Sequence, residues 1–598
     1  MTMAILRRHP VATGAAGSLV WAVVVLAPVV FTDRSFSSDW SLHLWMIHEQ
    51  HRAIAGGGVP GVTMSFDPVG VMAPIPLLYG GTLYALGGLL AALGLGAINA
   101  YVVLSVAIAW AATFGTWWAT YQLTTRPWVS WLPALTLTSA AYFLGDSLGR
   151  GGFGNHAATM VLPLAFGGAL HVWRNDGRSV GGLLAFCGAV VIATGSHSVA
   201  LLWTVVLGVV ILGLAWLVRP KWRPIPGIER RAAILALAGA GATMINGWFL
   251  VGMLALRNRV FIGGTSPGYE FHYDWSSWFG APSVWLSPLR TIPPEHVEFW
   301  RNIVERQSSE FAGATSLYVQ LPVLAVAWIV VLVLVLRGSK LLRQLAPLVV
   351  PFVALSVLIL APRTWARLPE IFRATQFSLR LNSYIILLVA AMVSLVLMAL
   401  TTASRRVQTA SLAVLCAITA FSVGQALWQG WSTTSVGVWI PPTRSSPYDV
   451  PRHLALESDA AAPYWYDVLG PRATDGPETR PPPKESLTFP PAEAADGDGH
   501  AVLGPTRTPR LLVTNVVAPL DLVHFEGVSK AGRTLGGRII VRQVPGDSPT
   551  NVRVSLAWPW YRIIGLIVSA LGTAIVVAML VVAHRSGRVR DRRNDRVP

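Results

Sequence analysis

Apolar residues come along this chain in repeated runs of about 18–25 with almost no charge, separated by short polar stretches. A run of that length matches the hydrocarbon core of a bilayer, so the pattern predicts a helical, multi-pass membrane protein. About twelve crossings are expected, near 14–31, 97–122, 128–145, 154–172, 179–195, 198–217, 232–256, 317–336, 344–361, 382–401, 407–428 and 559–583. The further apolar stretch 74–95 begins PIPLLYGGTLYALGG, with two prolines and a double glycine. It is expected to be a re-entrant or surface-lying helix inside the first loop.

Loop charge supports that choice. With 74–95 left out of the count, the segments 1–13, 123–127, 173–178, 218–231, 337–343, 402–406 and the tail from 584 share one side. Each carries at least one Lys or Arg, and their only acids are Asp176, Glu229, Asp591 and Asp595. The positive-inside rule makes that side cytoplasmic, with both termini on it. Counting 74–95 as a crossing would turn VRPKWRPIPGIERR outward, against the same rule. The outer face then carries loops 32–96, 257–316 and 362–381 and the large segment 429–558.

The expected organisation is a transmembrane domain over 1–428 with outer loop 32–96, an extracytoplasmic domain over 429–558, and a last helix with a basic tail over 559–598. Residues 470–510 are rich in Pro, Gly and charge and read as a flexible linker. After them RLLVTNVV, GRIIVRQV and NVRVSLAW cluster β-branched residues between turn residues, which predicts strands of a small sandwich. The fold class is therefore all-α and polytopic, with a small C-terminal β-rich domain. The net charge of +17 sits mostly in the short loops, so it sets topology and does not argue for nucleic acid. Cys187 and Cys416 lie inside apolar runs and give no disulfide framework or zinc spacing. No Walker A, strand-to-helix GxGxxG or GxSxG is present. The composition is compatible with a high-GC bacterium, hence a bacterial plasma membrane.

Four polar constellations remain. FTDRSFSSDWSLHLWMIHEQHR, residues 31–52, follows the first crossing directly. On a helix Asp39 and His43 share a face beside an apolar stripe of Trp40, Leu44 and Ile47, which predicts an amphipathic helix at the outer surface. Asp39 fits two roles: an N-cap, or a general base or acceptor-orienting carboxylate. His43 is the second candidate, and His48 and His51 read as surface or interfacial. The spacing is not HExxH; no metal site or cofactor is assigned, and a divalent cation is left open.

The loop 361–384 carries Arg363, Arg367, Arg373 and Arg380 against Glu370, contrary to the positive-inside pattern. Lipid headgroups can compensate these charges, and so can a bound polyprenyl phosphate, for which Arg373, Arg380 and Arg367 are the candidates. GDSLGRGGFGNH (145–156) offers Asp146, Arg150 and His156, and TGSH offers His197 at the head of a helix. YEFHYDWSSWFG (269–280) offers Glu270, His272 and Asp274 among aromatic rings, a pattern that suits sugars and equally an interfacial aromatic belt.

This layout resembles the GT-C class of membrane glycosyltransferases. Within it the chain is similar to the YfhO-like bacterial membrane proteins, also described as 6-pyruvoyl-tetrahydropterin synthase-related. The similarity rests on ATQFSLRLNSY (374–384), on VPGDSPTNVRVSLAWPWYRIIGLIVS, and on the carboxylate soon after the first crossing. It implies a lipid-linked sugar donor, a glycan or glycolipid acceptor, and Asp39 as the base, with Asp33 second. The adjacent-acid pair of many members is absent, since Trp40 follows Asp39. The implied activity is extracytoplasmic transfer of sugar from a polyprenyl phosphate. The alternatives are a lipid or polysaccharide transporter or flippase, which would want charged or discontinuous mid-membrane helices, and a non-catalytic envelope assembly protein.

Overall fold

The computed structural model describes residues 9–31, 40–56, 60–66, 70–73, 76–77, 80–150, 152–218, 227–256, 340–360, 367–369, 372, 378–401, 404–433, 483–489, 498–518, 520–534 and 538–594. In chain order the first helices are α1 (Pro10–Val25), α2 (Ala27–Phe31) and α3 (Trp40–Ala55). A hairpin of β1 (Met64–Phe66) and β2 (Gly70–Ala73) comes next. After it come α4 (Gly81–Leu90), a π-helical turn (Ala91–Leu95) and α5 (Gly96–Thr124). Then come α6 (Trp131–Thr138), α7 (Ala141–Leu144), a second π-helical turn (Gly145–Arg150), α8 (Phe153–Met160) and α9 (Leu162–Arg174). The helical part continues through α10 (Val180–Ser196), α11 (Ser198–Leu217), α12 (Ile228–Ile245), α13 (Gly247–Leu256) and α14 (Lys340–Leu360). A 3₁₀ turn (Ser378–Leu381) then leads into α15 (Asn382–Leu400) and α16 (Arg405–Thr433). Strands β3 (Glu485–Leu487), β4 (Gly499–Leu503), β5 (Arg510–Thr514), β6 (Val523–Glu526), β7 (Ser529–Arg533), β8 (Ile539–Gln543) and β9 (Thr550–Leu556) precede α17 (Trp560–Asn594).

Each crossing expected from the sequence within the described residues is helical; the one at 317–336 lies outside them. Among the described residues five helical stretches are long and apolar enough to span, and six if a bent pair counts as one. That is fewer than the expected twelve, because several runs are divided. The 128–145 run becomes α6 and α7, and the 154–172 run becomes α8 and α9, with Pro163 at the second junction.

The 232–256 run is also not one straight helix. It divides into α12 and α13, bent by 70° at Asn246. The break is closed by side chains: Asn246 Nδ2 donates to Val191 O (2.8 Å) and Thr194 Oγ1 (2.6 Å), and its Oδ1 accepts from Thr82 Oγ1 (2.6 Å). Helix breaks at membrane depth persist where protein groups take up the freed polar atoms in this way.

The 74–95 stretch is helical as α4. Gly94 (φ 103°) and Gly96 (φ 72°) then take a left-handed backbone, which turns the chain so that α4 packs back against α5. α4 also lies along α3, and a Cβ at Gly88 would sit 2.6 Å from Gln50 Cβ, so this approach requires glycine.

The strands predicted at 510–517, 537–544 and 551–558 appear as β5, β8 and β9. They belong to a four-stranded sheet in the order β3-β5-β8-β7 and a three-stranded sheet in the order β4-β9-β6, and Phe489, Leu512, Val541, Val552 and Val554 share one core with others of both sheets. The stretch read as linker, 470–510, contains β3 and β4, whose Leu487 and Leu503 belong to that core; proline and charge density masked these short strands. Met72 from the first-loop hairpin, 2% exposed and at φ 60°, is part of the same core. Leu522, Leu556 and Tyr561 in turn join Val62, Leu77, Phe249 and Leu256. The β region is therefore seated on the first loop and on the adjoining ends of α13 and α17.

Candidate functional site

The expected surface helix over 31–52 is enclosed instead: every residue from His43 to Gln50 on α3 is buried. α4 covers it along one side and α5 along another, and glycines 87 and 88 let Ile47 and Gln50 approach. Gln50 is further held by two hydrogen bonds to the Gly61 backbone, at 2.6 and 2.9 Å.

His43 sits fully buried in an aromatic cage. Its Nδ1 shares a 2.8 Å hydrogen bond with Tyr84 Oη, and its ring lies 5.8 Å from both Tyr84 and Phe153. Phe153 in turn packs 4.6 Å from Tyr101. The residue that begins α8, in the glycine-rich stretch 145–156, is thus brought onto the first-loop helix.

Asp146 and His156 come together behind Phe153. The wide π-helical turn carries Asp146 at 0% exposure, with His156 Nδ1 3.6 Å from its Oδ2. Ser147 Oγ donates to Phe143 O at 2.7 Å, so its lone pair faces His156 Nε2 at 3.0 Å, and Nε2 carries a hydrogen. When Nδ1 is also protonated the ring forms an ion pair with Asp146. A Cβ at Gly152 would run into Asp146 Oδ1, which explains one glycine of the GRGGFG stretch. The arrangement places a carboxylate, an imidazole and a hydroxyl in one buried group. The Arg150 backbone belongs to the same turn.

His197 caps a helix. It stands at the N-cap of α11, and its Nδ1 accepts from Ala200 N at 3.3 Å. Of the arginines, Arg367 is exposed, whereas Arg380 is buried on the 3₁₀ turn ahead of α15. Tyr384 ties that helix start to α11, donating to Ala200 O at 2.7 Å and lying 3.1 Å from Thr204 Oγ1. Asp39, Arg373, Glu270, His272 and Asp274 lie outside the described residues. Tyr84, Ser147 and Asn382 carry no signal in the sequence: a tyrosine or asparagine in an apolar helix has no spacing signature until a partner, or the lack of one, is known. Among the described residues no three His, Cys, Asp or Glu side chains gather for a metal.

His48, expected at the surface, is 6% exposed between Trp45 (5.4 Å) and His51 (6.2 Å). Burial, then the nearby Arg52 and His51, lower its pKa from 6.5 to about 4. The unfolded chain therefore binds a proton here before the folded one does. This contribution to stability is present above pH 6.5 and is lost as the pH falls towards 4. Unfolding followed across that window should show stability falling with acid, and His48→Phe should flatten the slope. An unchanged slope in the variant would remove His48 as the cause.

These features define a mostly helical, multi-span membrane protein with a small C-terminal β-sheet region. No family model matches the chain, and no curated protein matches it. Among solved structures, the crystal structure of ArnT from Cupriavidus metallidurans bound to undecaprenyl phosphate is similar, at 13% identity and a TM-score of 0.35. The match covers 90% of this chain and 98% of that one.

Proposed function

We propose that the protein is a GT-C-type glycosyltransferase that moves a sugar from a polyprenyl-phosphate donor to a cell-envelope glycan or glycolipid, on the extracytoplasmic face of a bacterial plasma membrane. The observation that supports this reading is the burial of polar and ionisable side chains in a largely apolar helical protein. His43, Asp146, His156, Arg380 and Asn382 stand on segments far apart in sequence, and none of them is at the surface. Buried ionisable groups in a membrane protein are costly and mark functional sites by default. The loop-charge pattern, by the positive-inside rule, assigns loops 32–96 and 362–381 to the outer side.

In this reading Asp39, with His43 near it, takes the acceptor hydroxyl's proton, while Arg380 with Arg373 and Arg367 stabilises the departing lipid phosphate. Direct displacement then forms the new bond at the anomeric carbon as the bond to phosphate oxygen breaks. The transporter alternative gains one observation, the 70° break at Asn246. The three hydrogen bonds of Asn246 tie that break to neighbouring helices, as a fixed joint would be tied.

The test uses purified full-length protein with radiolabelled polyprenyl-phosphate sugars and an envelope lipid and glycan extract. Label passing from donor to acceptor is expected. Movement of the intact lipid across a vesicle bilayer, with no label transferred, would establish the transporter instead.

A further inference from the structure

Asn382 opens α15 and is fully enclosed, yet among the described residues neither its Oδ1 nor its Nδ2 meets a hydrogen-bond partner. Its neighbours are engaged: Ser383 Oγ donates to Arg380 O at 2.7 Å, and Tyr384 Oη bonds to Ala200 O. A buried amide with both halves unsatisfied is destabilising, and an apolar side chain of the same shape would cost less. Such a group needs an explanation, and a ligand that uses the amide is one.

The surroundings point the same way. α8 touches both α11 and α15, and α15 meets α11 through Tyr384. The start of α8 meets α3 through Phe153 and His43, while the start of α15 meets the first turn of α11 through Tyr384 and Ala200. Asn155, in the first turn of α8, is also buried, and its Nδ2 has no partner among the described residues.

The chemistry of the amide selects the ligand class. A phosphate or carboxylate could use Nδ2 but would face Oδ1 unfavourably, acceptor against acceptor. A hydroxyl both donates and accepts, so neighbouring hydroxyls of a sugar satisfy both halves. We infer that Asn382 is a specificity-determining residue that reads hydroxyls of the transferred sugar, an inference that rests on the glycosyltransferase reading above. Asn382 is enclosed, so the preference is read at equilibrium.

The test measures binding by full-length protein in lipid nanodiscs. The probes are bare polyprenyl phosphate and a set of polyprenyl-phosphate hexoses and pentoses. Wild type is expected to prefer at least one sugar-bearing lipid by about tenfold or more. Asn382→Leu should reduce that preference to within about twofold, with a melting temperature equal to or above that of wild type. A preference that survives Asn382→Leu overturns the inference and leaves the glycosyltransferase reading intact. A lowered melting temperature in Asn382→Leu shows a packing role and also overturns it. Wild type without preference for any sugar-bearing lipid overturns both.

Discussion

Asp39→Asn is expected to slow sugar transfer by about 10²–10⁴-fold while leaving affinity for the lipid donor within about twofold. The amide keeps the size of the carboxylate and can still accept a hydrogen bond, but it cannot take a proton from an acceptor hydroxyl. The loss should therefore fall on kcat rather than on binding. His43 provides the internal comparison. Its Nδ1 is occupied by Tyr84, so removing it disturbs a packed aromatic cage as well as any chemistry. His43→Asn should accordingly lower both melting temperature and transfer, whereas Asp39→Asn should change transfer alone. Transfer within threefold of wild type in Asp39→Asn would take this carboxylate out of the mechanism. His43 and the buried Asp146–His156 pair would then be the candidates among the described residues.

Gly115→Leu is expected to destabilise the helical domain by about 3 kcal/mol or more, near the top of the range for overpacking. A Cβ at this position on α5 would lie 2.5 Å from both Leu164 Cα and Pro163 C on α9. Those are backbone atoms, so no rotamer change relieves the clash and the two helices must separate. Interfaces built on small residues let helix backbones approach closely in just this way, and they lose that contact when the residue grows. Gly188 on α10 is the control, because a Cβ there meets nothing within 4 Å. Gly188→Ala should be neutral or slightly stabilising through helix propensity. Equilibrium unfolding of the three proteins in mixed micelles measures the difference. Equal stability of Gly115→Leu and wild type would show that α5 and α9 can slide apart without cost.

Legibility in the sequence differs by level. The helical runs were readable because burial against lipid demands an uninterrupted apolar stretch, and β5, β8 and β9 were readable because strand residues cluster between turns. The breaks were not. Asn246 looks like one polar residue in an apolar run, and only its three partners on α4 and α10 show how the chain can bend there. The buried polar groups were half readable. Helical spacing drew attention to His43, and glycine-rich patterning drew attention to Asp146 and His156. The same reasoning puts His48 at the surface, where the structure buries it. Helix spacing tells which residues share a face; it does not tell how many faces the neighbours cover, and here α3 is enclosed by α4 and α5.

The sequence alone determined the class of solvent, the positions of the helical runs and the identity of the C-terminal strands. Each follows from local composition meeting a requirement of the bilayer or of the β-pleat. Tertiary structure alone decided that the first-loop hairpin lends Met72 to the β core, that Phe153 meets His43, and that Asp146 and His156 form a pair. It also decided that Asn382 is buried without a partner among the described residues. Those are contacts between segments distant in the chain, or the lack of one. They depend on which backbones can come close, and that is set by glycines whose fit shows only once the facing helix is in place.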